Sequence, residues 1–263
     1  MKKSILITGS SHGIGAACAE AFAKDGYDVG INYNKSPEGA QEVAERCRAL
    51  GADAQVYQAD VSKRVQCEEM LGKFIEHFGK IDVLVNNAGG ALKMPKGGFA
   101  DMPMDYWEDQ IDLNLNAAAF CSHVAAKDMI EKGVHGAIIN ISSIHSQVTW
   151  VKRKALPYSA GKAGLNMFTK SIGVELIKYG INVNCIAPGL VYTKIMSRYS
   201  DRDIEGFNRK IPAGYGGQPS DIVPMIQFLA DKEKSRFIVG QTIFIDGGQS
   251  IDGVIDCMME DEF

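Results

Sequence analysis

Tyr158 and Lys162 stand four residues apart, a spacing that puts both side chains on one face of a helix, where an ammonium can act on a phenol through space and through a shared ligand. A phenol with an ordinary pKa near 10 has to lose roughly two to three units to exchange protons near neutral pH, or about 3 to 4 kcal/mol. Burial works against that loss, and a neighbouring cation works for it. Upstream, the strand-like run Ala137 to Ser142 leads into Ser143, whose hydroxyl can hydrogen-bond the reacting oxygen and orient it. The three side chains together make a proton-transfer device suited to a carbinol or a carbonyl. A Tyr-x-x-x-Lys pair alone also decorates exposed helices, so its meaning depends on its surroundings.

A second cluster lies near the start of the chain, Thr8-Gly9-Ser10-Ser11-His12-Gly13-Ile14-Gly15, between an apolar run and a helical pattern. Glycines at such a turn let the backbone approach a pyrophosphate, whose charge is favoured by free N–H groups and the positive end of the helix. The spacing is G-x-x-x-G-x-G, one residue wider than the common dinucleotide fingerprint, so the pattern gains its weight from its position. Gly9, Ser11 and Gly13 also match G-x-S-x-G, the elbow of a hydrolase nucleophile. That reading fails mechanically, because no strand precedes the turn to supply the second oxyanion donor. An oxidised nicotinamide held here would add positive charge in favour of a phenolate at Tyr158.

The elements that must position these groups alternate regularly. Strands are expected near 4–8, 28–33, 54–59, 81–86, 136–142, 181–186 and 242–246, with helical stripes Ile14-Cys18-Phe22, Ala40-Val43-Ala44-Cys47 and Val65-Phe74-Phe78 between the first of them. Gly26, Gly51, Gly79 and Gly180 fall where helices should end in a left-handed residue, and Ser36-Pro37 reads as a helix start. Strand, helix, strand units require right-handed crossovers, which predicts a single doubly wound α/β domain over 1–250, a parallel seven-stranded Rossmann sheet with helices on both faces. Residues 251–263 read as a tail. Irregular stretches at 90–104, 143–157 and 187–213 follow strands at the ends where such sheets bind ligands.

The chain has 263 residues, 46% of them hydrophobic, and a net charge of −4 without a basic block. That excludes a disordered chain and argues against a nucleic-acid partner. Lys152-Arg153-Lys154 is the longest basic cluster and reads as a solvated loop. Cys18, Cys47, Cys67, Cys121, Cys185 and Cys257 form no C-x-x-C pair, as expected of a reduced, cytoplasmic protein. The apolar start is broken by Gly9, Ser10, His12 and Gly13, unlike a secretory signal, and no run is long enough to span a membrane. The five histidines are dispersed, so no metal site is expected.

In order along the chain, Thr8-Gly9-x3-Gly13-x-Gly15, Asp60, Asn86-Asn87-Ala88-Gly89, Asn114, Ser143, Tyr158-x3-Lys162, Pro188-Gly189 and Thr193 resemble the short-chain dehydrogenase/reductase family, over residues 4 to about 250. The resemblance implies Tyr158 as catalytic acid/base and Lys162 as the residue that holds the nicotinamide ribose and lowers the tyrosine pKa. Ser143, rather than Ser142, would orient substrate. Asn114, rather than the nearby Asn116, would anchor a water leading from Lys162 to solvent. The resemblance further implies that Gly9, Ser11, His12, Gly13, Ile14 and Gly15 meet the pyrophosphate side of the cofactor. Asp60 and Val61 would meet adenine, Asn87, Ala88 and Gly89 would line the cleft, and Pro188, Gly189, Val191 and Thr193 would touch the nicotinamide. The interval from Ser143 to Tyr158 is 15 residues, slightly longer than is usual in the family, which implies a longer substrate loop near Lys152 to Ala155.

An enzyme of this fold that uses NAD places an acid about 20 residues beyond the glycine turn, on the ribose 2′-hydroxyl. Here the second strand ends Ile31-Asn32-Tyr33-Asn34-Lys35-Ser36 without an acid. Asn34, Lys35 and Ser36 could bind a 2′-phosphate, which favours NADP(H); with no arginine there, NAD(H) stays open. For substrate, Ser143-Ile144-His145 with Trp150, and Ile211-Pro212-x-Gly214-Tyr215-x-Gly217-x-Pro219, are similar to the glucose 1-dehydrogenase branch, which implies His145, Trp150 and Tyr192 as sugar contacts and a homotetramer. The 3-oxoacyl-carrier-protein reductases and hydroxysteroid dehydrogenases match the general pattern as well. A non-catalytic dinucleotide-binding regulator is the alternative from another class, and the tuned phenol argues against it.

Overall fold

In the computed structural model, the residues described are 2–92, 95, 98–148, 155–194, 196 and 199–251. The chain runs β1 (Ser4–Ile7), α1 (Gly13–Lys24), β2 (Asp28–Tyr33), α2 (Pro37–Ala49), β3 (Ala54–Gln58), α3 (Arg64–Phe78) and β4 (Val83–Asn86). Then come α4 (Met104–Ile111), a π-helical segment (Asp112–Asn116), α5 (Ala117–Glu131), β5 (Ala137–Ile141), α6 (Leu156–Leu176) and β6 (Asn182–Pro188). The described chain closes with α7 (Asp201–Asn208), α8 (Pro219–Ala230), α9 (Lys232–Ser235) and β7 (Thr242–Ile245). The strands form one parallel sheet in the order β3-β2-β1-β4-β5-β6-β7, so winding reverses between β1 and β4. That switch point opens a crevice at the carboxyl ends of the strands, beyond the glycine turn.

Period-two alternation decides which helix each residue meets. Ile5, Ile7, Val83, Val85, Ile139 and Ile141 point to the face covered by α1, α2 and α8. Leu6, Leu84 and Ile138 point to the face covered by α3, α5 and α6. Burying one such side chain fully contributes roughly 1.5–3 kcal/mol, so a one-residue slip in register would be prohibitive. Gly26, Gly51, Gly79 and Gly180 end their helices with positive φ, as their positions predict, and α2 starts at Pro37 after Ser36.

Two expectations change. Val65 is 56% exposed, and the buried stripe of α3 is Cys67, Met70, Leu71 and Phe74. Val65 is two positions from Cys67, and two positions on a helix turn a side chain to the opposite face. The stretch 187–213 is not all irregular, because α7 lies in it, started by a box in which Ser200 Oγ accepts the Asp203 N–H and the Ser200 N–H bonds the Asp203 carboxylate. Lys152–Lys154 and the tail beyond Ile251 lie outside the described residues, as does Cys257.

Candidate active site

The glycine turn is clamped from both sides. Thr8 Oγ1 accepts the N–H groups of Asn87 and Ala88, each at 3.0 Å. Asn87 Nδ2 returns bonds to the carbonyls of Thr8 (2.9 Å) and Gly9 (3.0 Å). On the β2 side, the buried Asn32 accepts the Gly9 N–H at 2.9 Å and donates to the carbonyls of Tyr57 (3.3 Å) and Ala59 (3.2 Å). Asn32 therefore ties the ends of β1, β2 and β3 together. A polar residue inside a buried strand is its one mark in the sequence.

Close approach explains the glycines. A Cβ on Gly9, at φ +63°, would stand 2.9 Å from Ala88 Cα, and one on Gly15 would stand 2.6 Å from Asn87 Nδ2. Helix α1 begins at Gly13 with no side-chain cap from His12 and no acid in its first turn. Among the described residues no acid caps its free N–H groups, and this bare, positively poised turn fits the diphosphate of a nicotinamide dinucleotide. Ser11 Oγ lies 2.9 Å from His12 Nδ1. Ile14 packs partly into the core. Asn34 and Lys35 are exposed and Ser36 is half-buried. A Cβ on Gly39 would meet Ser11 O at 2.9 Å and Ser36 Oγ at 3.0 Å, so the start of α2 sits against the glycine turn.

After β3, Asp60 Oδ1 accepts both the N–H (3.0 Å) and the hydroxyl (2.7 Å) of Ser62. The Val61 side chain turns into the core, so of this pair Asp60 alone is half-exposed.

The four candidate catalytic residues come from three further segments. The π-helical segment supplies Asn114; one wide turn here lets a side chain point where a regular helix would not, as such bulges do at functional sites. Asn114 is buried, its Oδ1 accepting the Gly90 N–H at 2.9 Å and its Nδ2 donating to the carbonyls of Gly90 (3.1 Å) and Gln110 (3.0 Å). Asn116 makes only a local bond to Asp112 at 2.7 Å. Lys162, 3% exposed, donates from Nζ to the Ile141 carbonyl at 2.8 Å. A Cβ on Gly89 would lie 2.9 Å from Lys162 Nζ and 3.0 Å from Asn114 Oδ1, so the three residues converge on one point.

Tyr158 is half-buried on the same helix face, its ring centroid 5.8 Å from Lys162 Nζ. The ring of His145 meets it edge-on at 5.7 Å and 68°. Burial holds the phenol above its usual pKa, and a hydrogen bond from Ser143 pulls it back down. Burial also lowers the Lys162 ammonium to about 8; this enclosure disfavours charge on both partners. The two serines separate cleanly: Ser142 Oγ donates to the Lys162 carbonyl at 3.1 Å, while Ser143 faces Tyr158 and accepts the His145 N–H at 3.2 Å.

On the far side, Gly189 N–H donates to the Ile245 carbonyl at 3.0 Å and Leu190 N–H to Gln249 at 3.2 Å, fixing the turn after Pro188 against the end of β7. Val191 packs on the core. Thr193 reaches the glycine turn, where a Cβ on Gly13 would meet its methyl at 3.2 Å. The Tyr192 hydroxyl is engaged inside the protein, donating to Asn208 at 2.6 Å and accepting the Gly216 N–H at 3.2 Å. Trp150 and the segment holding the extra residues of the substrate loop lie outside the described residues.

A family model described as enoyl-(acyl carrier protein) reductase matches residues 9–250. The chain belongs to the short-chain dehydrogenase/reductase family and is an NAD(P)-dependent oxidoreductase. It is 34% identical to glucose 1-dehydrogenase 2 of Bacillus subtilis (strain 168), over 95% of this chain and 95% of that protein. It is 38% identical to the 3-oxoacyl-(acyl-carrier-protein) reductase FabG of Staphylococcus aureus, over 94% of this chain and 98% of that one. Among solved structures, acetoin dehydrogenase from Enterobacter cloacae superposes with a TM-score of 0.87 at 33% identity, covering 97% of this chain and 98% of the other. The names of these relatives thus point to dissimilar substrates, and no helix of the described residues is long and apolar enough to cross a membrane.

Proposed function

We propose that this protein is an NADP(H)-dependent dehydrogenase or reductase that interconverts a secondary alcohol and its carbonyl, with the anomeric carbon of a sugar as the first substrate to test. The observation that carries the reading is the convergence of Gly89, Asn114 and Lys162 beside a tyrosine already hydrogen-bonded to Ser143. When bound, the dinucleotide supplies the hydride acceptor or donor. Tyr158 takes the hydroxyl proton during oxidation and returns it during reduction, and Ser143 holds the substrate oxygen against it. Lys162 favours the phenolate and binds the nicotinamide ribose. Asn114 keeps a lone pair on Oδ1 for the water that carries the proton onward.

Lys35, exposed just beyond β2, and the lack of an acid at the end of that strand support NADP over NAD. Similarity to glucose 1-dehydrogenase 2 supports a sugar, and similarity to the oxoacyl reductase supports the alternative. We extend the reading to a homotetramer in the cytoplasm. A groove among α3, α5 and α6, its floor apolar at Phe120, Ile130, Phe168 and Ile172 and its rim charged at Arg64, Glu68, Lys127 and Glu175, supports a second copy as the partner on that face. The five described cysteines are buried and free.

The test is NADP reduction measured across sugars, polyols, steroids and hydroxyacyl thioesters, for wild type and Tyr158→Phe. The variant should bind NADPH normally and turn over none of them. Unchanged turnover would remove Tyr158 from the mechanism, and NADH binding at least as tight as NADPH would overturn the cofactor preference.

A further inference from the structure

Asn166 continues the stripe of α6 begun by Tyr158 and Lys162, at the same four-residue spacing. Its Nδ2 donates to Ser146 Oγ at 2.8 Å. Ser146 Oγ in turn donates to the Ser143 carbonyl at 2.6 Å, which also takes the Ser146 N–H at 3.0 Å. On its other side, Asn166 Oδ1 accepts the thiol of Cys185, on β6, at 3.5 Å. Burial pushes that thiol up to about 11, so it stays protonated and able to donate. The direction of this chain is fixed, because Ser146 has one hydroxyl proton and gives it to Ser143. For Ser146 to keep giving its proton to Ser143, residue 166 must present an N–H; an apolar group of the same size offers none, and a carboxylate would draw the Ser146 hydroxyl to itself.

We propose that Asn166 is a positioning residue which, with Ser146 as its relay, sets the Ser143 hydroxyl in line with Tyr158, so that the helix carrying the acid/base and the loop carrying the serine move as one unit. This rests on the reading of Ser143 and Tyr158 given above. Fixing the Ser143 carbonyl fixes the backbone torsion that aims its side chain, and a shift of an ångström at such a point costs far more in rate than in stability.

The test compares wild type with Asn166→Asp, Ser146→Ala, their double variant and Ser146→Thr, using the alcohol found in the screen above. Asn166→Asp and Ser146→Ala should each lower kcat about tenfold with KM within about twofold. The double variant should be no worse than either single one, and Ser146→Thr, which keeps the hydroxyl, should restore wild-type rates. Since the Ser143 bond draws the phenol pKa down, loosening it should move the rising limb of oxidation to higher pH. The ultraviolet tyrosinate titration of the unliganded protein, taken as the difference from the matching Tyr158→Phe protein, should rise by about half a unit or more. Melting curves establish that each variant is folded. Unchanged kcat and titration in folded Asn166→Asp and Ser146→Ala, or single effects that multiply in the double variant, would overturn the proposal while Tyr158→Phe stays inactive. Turnover that survives Tyr158→Phe is a different result, which removes the reading of the site and this inference with it.

Discussion

Gly89 and Lys162 approach so closely that the glycine has no room for a side chain: an added Cβ would stand 2.9 Å from the ammonium nitrogen. The obstacles are side-chain ends, this one and Asn114 Oδ1 at 3.0 Å, not backbone. Gly89→Ala should therefore fold, with a melting temperature within a few degrees of wild type, and displace the ammonium. The expected outcome is a fall in kcat of roughly 10- to 100-fold. Steady-state kinetics beside a thermal melt checks it, and wild-type turnover in a folded variant would show that the position of Nζ is not critical.

Lys162 carries a stability cost that follows pH in a definite direction. Its pKa is about 8 in the folded protein against an ordinary 10.5, so the unfolded chain binds more protons between those values. Stability of the unliganded wild type should thus increase as pH rises through that window, by on the order of 3 kcal/mol if nothing else titrates. Lys162→Met should be the more stable protein at pH 7 and inactive, with its advantage shrinking toward pH 10. Melting curves at pH 7, 8.5 and 10 test this, and an advantage that widens with pH would show the sign to be wrong.

Thr8 is buried and its hydroxyl oxygen accepts two backbone N–H groups. Thr8→Val keeps the shape and takes the acceptor from the Ala88 N–H, while the Asn87 N–H keeps its bond to the Val85 carbonyl; the loss should cost about 1–3 kcal/mol of stability. The same bonds hold the 87–89 loop to the glycine turn, so NADPH affinity should fall with it. Chemical denaturation and fluorescence titration give the two numbers. A loss of stability with unaltered affinity would show that the loop keeps its place by other means.

Lys35 tests the choice of cofactor. Lys35→Asp replaces an exposed cation just beyond β2 with an anion, and should weaken NADPH about tenfold or more while leaving NADH within about threefold. Equal loss for both cofactors would mean that residue 35 does not face the 2′-phosphate.

Much of the architecture is readable one element at a time. The seven strand positions follow from short β-branched runs, and the helix ends follow from glycines that a left-handed residue requires. Val65 was misplaced because an apolar side chain at the start of a helix carries no mark of which way it faces; Cys67, two positions on, takes the core. Asn166 could not be singled out, since an amide has no distinguishing chemistry until its partners are known. At Val61 and Tyr192, expected to meet ligand, the structure adds internal roles for the side chains, in the core and in the bond to Asn208.

The sequence by itself determined the local rules: period two in the strands, the four-residue step from Tyr158 to Lys162, and the glycines where backbone must bend or come near. These depend only on neighbours along the chain, and residue type reports them directly. Which distant groups meet was decided by tertiary structure alone. The order β3-β2-β1-β4-β5-β6-β7, the wide turn that aims Asn114 and the packing of α6 on β6 bring Gly89, Asn114 and Lys162 to one point. That meeting arises from burial summed over both faces of the sheet, a quantity no single stretch of sequence contains.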